Sequence, residues 1–358
     1  MIHEDYKKEL VRQQYRIIGE HSAVKVCHWT KQALRGKGMC YKFTFYGIRS
    51  HQCMQMSTSL SCANRCVFCW RGTKAPFSKE WKWGIDEPEE ILQESIISHQ
   101  KLLDGFGGND KVKKEIFKQA RTVKHTALSL TGEPIIYPKI NEFIRLCNKK
   151  GISTFLVTNG QYPEVIRDLE PVTQLYMSLD ASTKELLKKI DIPLFKDYWD
   201  RMNRSLDYLA QKKQRTCIRL TIIKDVNDNH LDKYAELIKR ADADFIELKA
   251  YMFVGESRLR LEEKNMPLHE EVIGISKELV KYLDDYEIVS EHVPSRVVMI
   301  AKKKFKKDGI WYTWIDYEKW HNLVSSDITV EDYMAKTPKT FVGLSGKGTK
   351  DIFEKEEF

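Results

Sequence analysis

The feature that most limits the fold of this chain is a regular alternation of short apolar runs with helical patterns. From about residue 86 onward, amphipathic stretches of roughly 10 to 20 residues separate runs that have the composition of strands. Including one run before that point, the predicted strands are MQMSTSLS (54–61), TALSLTGEP (126–134), STFLVTNG (153–160), QLYMSLDA (174–181), TCIRLTII (216–223) and FIELKAY (245–251). Such strands joined by helices indicate parallel βαβ units with both sheet faces covered. A doubly wound sheet and a full or partial (βα) barrel both satisfy the pattern, and the spacing does not decide between them.

The alternation also divides the chain into parts. Residues 54–287 form the predicted α/β domain, and residues 1–53 precede it as an N-terminal extension. After about residue 288 the pattern becomes a strand, a lysine-rich turn and an aromatic strand, so we expect a C-terminal extension of β structure over 288–344. The polar stretch 345–358 is expected to be a mobile tail.

Composition argues against a membrane or secreted protein. The 358 residues are 42% hydrophobic and 31% charged, which suits a globular protein with a large core. No run of roughly 18 apolar residues occurs, and the N-terminal MIHEDYKKEL lacks a secretory signal, so we expect a cytoplasmic protein. Cytosolic thiols stay reduced, which favours metal binding over disulfides. The net charge of +8 fits a polyanionic partner, although many soluble proteins are equally basic.

Three of the eight cysteines lie close together in CANRCVFC (62–69), with spacing C-x3-C-x2-C. The number is odd for disulfides and one short of the four ligands of a structural zinc ion, for which His51 is a candidate fourth ligand. An iron–sulfur cubane also binds thiolates and can function with one iron open. The spacing alone is compatible with a zinc ion and with an iron–sulfur cluster.

Polar residues follow three successive predicted strands at their carboxyl ends. They are Thr131-Gly132-Glu133-Pro134, Thr158-Asn159-Gly160 and Ser178-Leu179-Asp180. Parallel α/β folds bind ligands at this rim. Each group by itself could simply form a turn or a helix cap, but three such endings on the rim that carries the cysteines favour a ligand site.

A second set of cysteines lies upstream, evenly spaced at Cys27, Cys40 and Cys53. Buried small side chains would explain them equally well, since free cysteine is commonly buried. The alternation in CYKFTFYGI (40–48) predicts a strand with Cys40 and Lys42 on one face. A lysine beside a cationic centre can act as a Schiff-base nucleophile, whereas the alternative is an ordinary solvated lysine. Cys147 and Cys217 are expected to be core residues.

The CxxxCxxC motif at the end of a first strand, with Phe68 before the last cysteine, resembles the radical S-adenosylmethionine (SAM) superfamily. The resemblance implies a partial (βα)6 TIM-like barrel. It also implies a 4Fe–4S cluster on Cys62, Cys66 and Cys69, whose fourth iron binds SAM and whose chemistry yields a 5′-deoxyadenosyl radical. TGEP resembles the GGEP-type strand end of that superfamily, with Thr in place of the first Gly. The SAM contacts that the resemblance implies are Thr131, Gly132, Glu133, Asn159, Ser178 and Asp180.

Taken together, the two cysteine sets, CYKFTFYGI and SLTGEP resemble archaeal 4-demethylwyosine synthases of the wybutosine pathway, over about residues 14–300. That resemblance implies a second 4Fe–4S cluster on Cys27, Cys40 and Cys53, and a Schiff base between Lys42 and pyruvate. The implied activity is that of a carbon–carbon lyase of the oxo-acid-lyase type. It would join pyruvate carbons to N1-methylguanosine, 3′ of the anticodon of tRNA(Phe), to form tricyclic 4-demethylwyosine.

The resemblance also bears on partners. Only 61 residues precede Cys62, too few for the flavodoxin-like domain of eukaryotic relatives, so we expect a separate flavodoxin- or ferredoxin-like electron donor and a monomeric enzyme. Two regions are candidates for RNA contact, one beside the cluster motif and one in the C-terminal extension. Their residues are Trp70, Arg71, Lys302, Lys303, Lys304, Lys306 and Lys307. A basic turn beside aromatics suits an RNA loop, but a solvated lysine turn over a core strand fits the pattern as well.

Two other functions therefore stay open at this point. The chain could be a radical SAM enzyme acting on a different substrate, such as a peptide or a small metabolite. It could also be a zinc-binding RNA-interaction protein without catalytic activity. Iron and sulfide content separates the zinc protein from the two enzymes.

Overall fold

A computed structural model of the chain describes residues 2–325 and 327–345. Its largest sheet has ten strands in the order β1-β2-β3-β4-β5-β6-β7-β8-β10-β9. The strands of this sheet are β1 Arg16–Ile18, β2 Ser22–Lys25, β3 Cys53–Ser57, β4 His125–Leu128, β5 Ser153–Thr158, β6 Gln174–Ser178, β7 Arg215–Ile222, β8 Phe245–Ala250, β9 Tyr286–His292 and β10 Val297–Lys302. The six strands β3 to β8 are parallel in sequence order. They are the six strands that the apolar runs predict, and the fold is a partial barrel.

Helices follow the strands and cover the outer face of the sheet. The α-helices are α1 Glu4–Arg12, α2 His28–Leu34, α3 Tyr41–Tyr46, α4 Pro88–Leu103, α5 Lys114–Ala120, α6 Ile140–Lys149, α7 Pro163–Arg167, α8 Lys184–Asp191, α9 Tyr198–Ala210, α10 Leu231–Ala241, α11 His269–Leu279 and α12 Tyr317–Leu323. Helix α4 begins with Pro88 and two acidic residues, as a helix start should, because proline fits the first turn and acids complement the dipole there. Among the described residues, no helix is long and apolar enough to cross a membrane.

Successive side chains of each parallel strand point to opposite faces of the sheet. In β7, Ile218, Leu220 and Ile222 belong to the core between sheet and helices. Arg219 and Thr221 line the barrel interior instead. This two-fold alternation explains why charged residues interrupt strands that are otherwise apolar: the interior face carries a polar cavity.

The predicted strand over 40–48 is wrong, because the segment forms helix α3. Cys40 is the N-cap residue and all six residues of the helix are buried. The helix packs in the barrel interior, where Tyr46 donates a hydrogen bond to Glu247 Oε1 at 2.9 Å. Because every face of this helix meets protein or cavity, its sequence lacks the one-sided polar stripe by which a helix is recognised. Strand β2 of the predicted N-terminal extension pairs with β3, the first strand of the predicted α/β domain.

The C-terminal region contains only short strands after β10. They are β11 Lys306–Lys307, β12 Ile310–Trp311, β13 Trp314–Ile315 and β14 Met334–Ala335, paired as β11 with β12 and β13 with β14. Trp311 and Trp320 are buried in the cluster that fills the barrel interior. The aromatic segment therefore belongs to the core. The tail expected over 345–358 lies outside the described residues except for Ser345.

Candidate active site

A cavity of about 430 Å³ runs through the interior of the barrel. It extends from Cys53, the first residue of β3, to the rim at the carboxyl ends of the parallel strands. It brings together every residue predicted for the two iron–sulfur clusters and for SAM binding, together with Lys42, Trp70 and Arg71. The metal and SAM residues are Cys27, Cys40, Cys53, Cys62, Cys66, Cys69, Thr131, Gly132, Glu133, Asn159, Ser178 and Asp180. Two thiol trios that are separate in sequence thus face one space.

The loop that carries Cys62, Cys66 and Cys69 is held by the backbone of the end of α8. Arg65 N–H donates to the carbonyl of Asp191 at 2.9 Å, and Val67 N–H donates to the carbonyl of Ile190 at 2.8 Å. On the other side, Arg71 Nη1 donates to the carbonyl of Leu60 at 3.0 Å. The loop is therefore fixed at both ends of the motif, which presents the three thiols to the cavity.

The thiols of this loop suit a metal cluster rather than free thiolates. Burial raises the pKa of Cys62 to about 11, although the nearby Arg71 guanidinium opposes the shift. Burial also raises the pKa of Cys66 well above its usual value. Thiolate is the form that binds metal, so these groups ionise when a cationic centre compensates them. A 4Fe–4S cluster supplies such a centre and takes each thiolate on a separate iron.

A single zinc ion fits the site less well. Among the described residues, no three His, Cys, Asp or Glu side chains are grouped to hold one metal ion. His51, the candidate fourth zinc ligand, is buried away from the cavity, and its Nε2 lies 2.9 Å from Gln119 Oε1. The donor set therefore favours a cluster.

Glu133 provides an unpaired carboxylate oxygen beside the first thiol trio. Its Oε2 accepts a hydrogen bond from the backbone N–H of Asn159 at 2.8 Å, whereas Oε1 has no partner among the described residues. Burial raises the pKa of Glu133 to about 7, and the Asn159 hydrogen bond opposes that shift. A buried carboxylate oxygen without a donor is an incomplete arrangement, and a ligand ammonium group would complete it.

Gly132 sets the position of Glu133. Its φ is +69°, and an added Cβ would lie 2.1 Å from the carbonyl oxygen of Ser59. Glu133 N–H donates to the carbonyl of Ser61 at 2.7 Å, so the strand end lies directly against the chain that leads to the cysteine loop. Only glycine permits this close approach.

The other predicted rim residues connect the strand ends to the thiols. Asn159 Nδ2 lies 3.4 Å from Cys62 Sγ. Asp180 Oδ1 accepts the backbone N–H of Thr221 at 3.1 Å, and burial raises the pKa of this carboxyl. Burial likewise raises the pKa of Asp191, whose Oδ2 accepts from Asn64 Nδ2 at 3.3 Å. Ser178, the last residue of β6, lines the cavity and is opposite Arg219 of β7.

Lys42 lies in the half of the cavity that carries the second thiol trio. Its side chain is buried, and Nζ lies 4.7 Å from the ring centroid of Tyr176 and 5.5 Å from that of Phe155. None of the described acidic residues forms an ion pair with it. Burial raises the pKa of Cys40 to about 12, and the neighbouring ammonium groups of Lys42 and Lys249 are among the charges that oppose this shift. The amine thus faces the cavity without a competing carboxylate.

Cys27 also has a structural role. It is the N-cap of α2, and its Sγ accepts the backbone N–H of Thr30 at 3.3 Å. Cys147 and Cys217 are fully buried, which confirms the prediction that they are core residues.

The lysines of the C-terminal extension do not line this cavity. Strand β10 runs antiparallel to β8, with Val297 opposite Lys249 and Ala301 opposite Phe245. Lys302 therefore lies at the amino-terminal edge of the parallel strands, away from the rim. The ion pairs of this segment are Lys302 with Asp242, Lys304 with Asp244 and Glu331, and Lys306 with Glu287.

The contact of these lysines with RNA stays a prediction, and it would be made away from the cavity. Lys302 is buried, which removes it from any surface contact. Lys303 and Lys307 are exposed at that far edge. In contrast, Trp70 is 40% exposed and lines the cavity, so it lies where a ligand would enter.

Sequence reasoning missed three charged residues of the cavity: Asp191, Arg219 and Lys249. Arg219 and Lys249 carried a usable signal, since each is a charged residue inside an apolar strand and therefore points to a polar interior. Asp191 carried none, because it is the last residue of an ordinary amphipathic helix.

A parallel partial barrel with three thiols after its first strand, and a buried carboxylate facing them, defines a radical SAM protein. The Radical SAM superfamily model matches residues 56–238, and a model described as Wyosine base formation matches residues 240–302. A solved structure of TYW1 with a lysine–pyruvate adduct bound has 38% sequence identity and a TM-score of 0.77, covering 86% of this chain and 99% of that chain. The chain belongs to the TYW1 family of S-adenosyl-L-methionine-dependent tRNA 4-demethylwyosine synthases.

Further relatives support this membership. A crystal structure of archaeal TYW1 has 36% identity and a TM-score of 0.71, with 86% of this chain and 99% of that chain covered. TYW1 of Xenopus laevis is 53% identical over 348 residues, which are 95% of this chain and 47% of that protein. TYW1 of Homo sapiens is 50% identical over 358 residues, covering 97% of this chain and 49% of that protein. The chain thus spans about half the length of these two curated relatives.

Proposed function

We propose that this chain forms 4-demethylwyosine in tRNA(Phe) as a carbon–carbon lyase, by joining pyruvate carbons to N1-methylguanosine 3′ of the anticodon. The observation that carries the proposal is that both thiol trios and Lys42 line one cavity. A reaction that combines a radical step with an oxo acid needs both centres within reach of one substrate. The relatives named as tRNA 4-demethylwyosine synthases, and the neighbour with a lysine–pyruvate adduct, support the same reaction.

The first half of the cavity would hold the SAM-binding cluster. Cys62, Cys66 and Cys69 would bind the cluster, which together with SAM supplies the radical that removes a hydrogen atom from the substrate. Glu133 would accept a hydrogen bond from the methionyl ammonium through its unpaired Oε1, at the position that Gly132 fixes. Thr131 would contribute its hydroxyl, which has no partner among the described residues. Asn159, Ser178 and Asp180 would contact the ribose or the carboxylate.

The second half would hold a second 4Fe–4S cluster on Cys27, Cys40 and Cys53, beside the oxo-acid site. Lys42 Nζ would add to the keto carbon of pyruvate, and loss of one water molecule would leave an imine between them. The rings of Tyr176 and Phe155 hold the lysine side chain over the cavity. Because no carboxylate among the described residues binds Nζ, the amine is free to react.

The RNA would approach the open rim of the barrel. Trp70 is exposed there and could stack on an unpaired base of the anticodon loop, while Arg71 lies at the cavity wall. The target base must leave its stack to reach an interior cavity, so we expect a flipped nucleotide. We expect the chain to act as a cytoplasmic monomer that receives electrons from a flavodoxin- or ferredoxin-like protein.

Product formation tests this proposal. Anaerobically reconstituted protein, with about eight irons for two cubanes, is incubated with tRNA(Phe) bearing N1-methylguanosine, pyruvate, SAM and a low-potential reductant. Mass spectrometry of the digested tRNA should show the tricyclic base. SAM cleavage without that base would point to a radical SAM enzyme acting on another substrate, and bound zinc without sulfide would contradict both enzyme functions.

A further inference from the structure

We infer that Arg219 and Lys249 form the subsite for the carboxylate of the 2-oxo acid whose keto carbon reacts with Lys42. The inference rests on the proposed function and adds to it the residues that would select a charged oxo acid. Arg219 and Lys249 both line the cavity, and neither is needed for the cluster or for the SAM contacts described above.

The register of the sheet places the two cations side by side. Strands β7 and β8 are parallel neighbours, with Arg219 opposite Glu247 and Thr221 opposite Lys249. Arg219 and Lys249 are therefore diagonal neighbours on the inward face, a separation that long side chains can bridge. Two such cations can approach one carboxylate from adjacent strands.

The same register connects Arg219 to Lys42. Along β6, Tyr176 and Ser178 both point inward, and Ser178 is opposite Arg219. Lys42 Nζ lies 4.7 Å from the ring centroid of Tyr176, two residues before Ser178. Lys42 and Arg219 thus reach adjacent positions on the inner face of one strand. In a 2-oxo acid the carboxylate is bonded directly to the keto carbon. The residue that reacts with the keto carbon, Lys42, and the residue that binds the carboxylate, Arg219, must therefore be close together.

Both cations have capacity for a ligand. The guanidinium of Arg219 has no hydrogen bond or ion pair to any described residue, although arginine normally pairs its planar donors with an anion. Lys249 Nζ donates to the carbonyl of Ser295 at 2.7 Å, which leaves further ammonium hydrogens available. A carboxylate between them would satisfy both.

The acids nearby do not pair with these cations. Glu247 Oε1 accepts the hydroxyl of Tyr46 at 2.9 Å while its Oε2 has no partner among the described residues, and Asp180 Oδ1 accepts the backbone N–H of Thr221 at 3.1 Å. Neither carboxyl lies within ion-pair distance of Arg219 or Lys249. Both cations therefore line the cavity without a carboxylate of the described residues bound to them.

Two carboxylates could use this subsite, that of the oxo acid and that of SAM. Lys249 Nζ lies 5.9 Å from the ring centroid of Tyr41, the residue after Cys40 of the second trio. Glu133, the proposed partner of the SAM ammonium, accepts the backbone N–H of Asn159, whose Nδ2 lies 3.4 Å from Cys62 Sγ of the first trio. This arrangement favours the oxo acid.

Trapping of the lysine adduct tests the inference. Reconstituted holoenzyme without SAM is mixed with pyruvate or with methyl pyruvate, which is neutral, and borohydride then reduces the imine. The modified fraction of the Lys42 peptide is measured by mass spectrometry. We expect Arg219→Gln and Lys249→Met each to lower the preference for pyruvate over its ester by about tenfold or more, since each removes a charge-assisted hydrogen bond.

The preference is the ratio of the adduct yield with pyruvate to the adduct yield with methyl pyruvate in one preparation. This ratio does not change when a variant simply contains less folded protein. Arg219→Lys should retain part of the preference, and Lys303→Gln removes the same charge at the far edge of the sheet and should change nothing. An adduct in the wild type with unchanged preference in both variants would overturn the inference alone. The inference would also be overturned if Arg219→Gln bound SAM more weakly but kept the wild-type preference for pyruvate over methyl pyruvate. Absence of any Lys42 adduct in the wild type would instead overturn the Schiff base of the proposed function, and the inference with it.

Discussion

At the scale of single residues, the cavity contains polar groups whose protein partners are missing. Glu133 Oε1 and the hydroxyl of Thr131 are buried and have no hydrogen-bond partner among the described residues. Arg219 also lines the cavity, and its guanidinium forms no hydrogen bond or ion pair with a described residue. Buried polar groups are normally paired. The unpaired carboxylate oxygen of Glu133 and the unpaired guanidinium of Arg219 face one cavity. They indicate a site for a ligand that carries an ammonium group, such as SAM, and for a ligand that carries a carboxylate, such as an oxo acid.

The chemistry proposed for Lys42 gives a residue-scale prediction. Lys42→Arg keeps the charge but cannot form an imine, so the tricyclic base should fall below detection while SAM cleavage persists. Iron content, 5′-deoxyadenosine and modified tRNA would be measured in the same samples. Lys303→Arg is a matched control, because it makes the same substitution at an exposed lysine that does not line the cavity. Tricyclic base from Lys42→Arg at the wild-type rate would exclude the Schiff base.

The residues of the site were predictable to different degrees. The cysteines and the Thr131–Glu133 strand end could be predicted because their spacing is local in the chain. Arg219 and Lys249 could not be assigned a role, because their significance depends on which strands are neighbours and which face is inward. The five C-terminal lysines show a similar limit: a basic run predicts RNA contact, but only the pairing of β10 with β8 shows that the run lies at the edge of the sheet away from the cavity.

At the scale of elements, the strand ends and the cysteine loop form one unit. The strand end at Gly132 lies against Ser59 and Leu60, and Arg71 binds the carbonyl of Leu60. A shift of any one part therefore moves the thiols relative to Glu133. This coupling would let a short loop without secondary structure of its own hold the proposed cluster in a defined place.

Gly132→Ala tests this coupling. The added Cβ would lie 2.1 Å from the carbonyl oxygen of Ser59 at a φ of +69°, so either the loop or the strand end must move. We expect SAM affinity to fall at least about tenfold and stability to drop by about 1–3 kcal/mol. Equilibrium binding of SAM and thermal unfolding would measure both.

Gly274→Ala is the matched control for that substitution. Gly274 is exposed in α11 and an added Cβ meets nothing within 4 Å. Replacement of a helical glycine by alanine should therefore stabilise the protein by about 0.5–1 kcal/mol and leave SAM binding unchanged. Equal SAM affinity in the two alanine variants would show that Gly132 does not position Glu133.

The elements themselves were mostly predictable. Six parallel strands follow from apolar runs, because strands buried on both faces are short and nearly uniform in hydrophobicity. Helix α3 was mistaken for a strand because its surroundings bury it on every side. Local pattern indicates which residues are buried, but it does not show that a helix is enclosed by a barrel.

At the scale of the whole molecule, the sheet forms an open barrel whose interior is divided between core and cavity. Helix α3 and the aromatic residues of the C-terminal region fill one part, and the ligand cavity occupies the rest. His292 Nε2 lies 3.1 Å from the carbonyl of Met39, which ties the segment before α3 to the edge strand β9. The N-terminal segment is thus joined to the barrel. The sequence does not show this, because the contacts join residues that are far apart in the chain.

Stability of the whole molecule should depend on pH through buried histidines such as His99. It is fully buried in α4, neither ring nitrogen has a partner among the described residues, and burial lowers its pKa from 6.5 to about 4. Between these values the unfolded chain binds more protons than the folded one. The free energy of unfolding should therefore fall as the pH falls through this window, by about 1.4 kcal/mol per unit for this group.

His99→Leu should reduce that dependence. The difference in unfolding midpoint between about pH 7.5 and about pH 5.5 would be compared for wild type and variant, as anaerobic holoprotein. The exposed His230 offers a control, since His230→Asn should leave the difference unchanged. An identical pH dependence in His99→Leu and wild type would show that His99 titrates alike in the folded and unfolded chains.

The central claim is that the radical and the oxo acid meet in one cavity, and isotope transfer in a single reaction tests it most directly. The tRNA carries N1-trideuteromethylguanosine and the pyruvate is labelled with carbon-13 throughout. Deuterium should appear in the 5′-deoxyadenosine, and two labelled carbons should appear in the tricyclic base of the same sample. Deuterium-free 5′-deoxyadenosine, or a modified base without pyruvate carbons, would contradict the central claim.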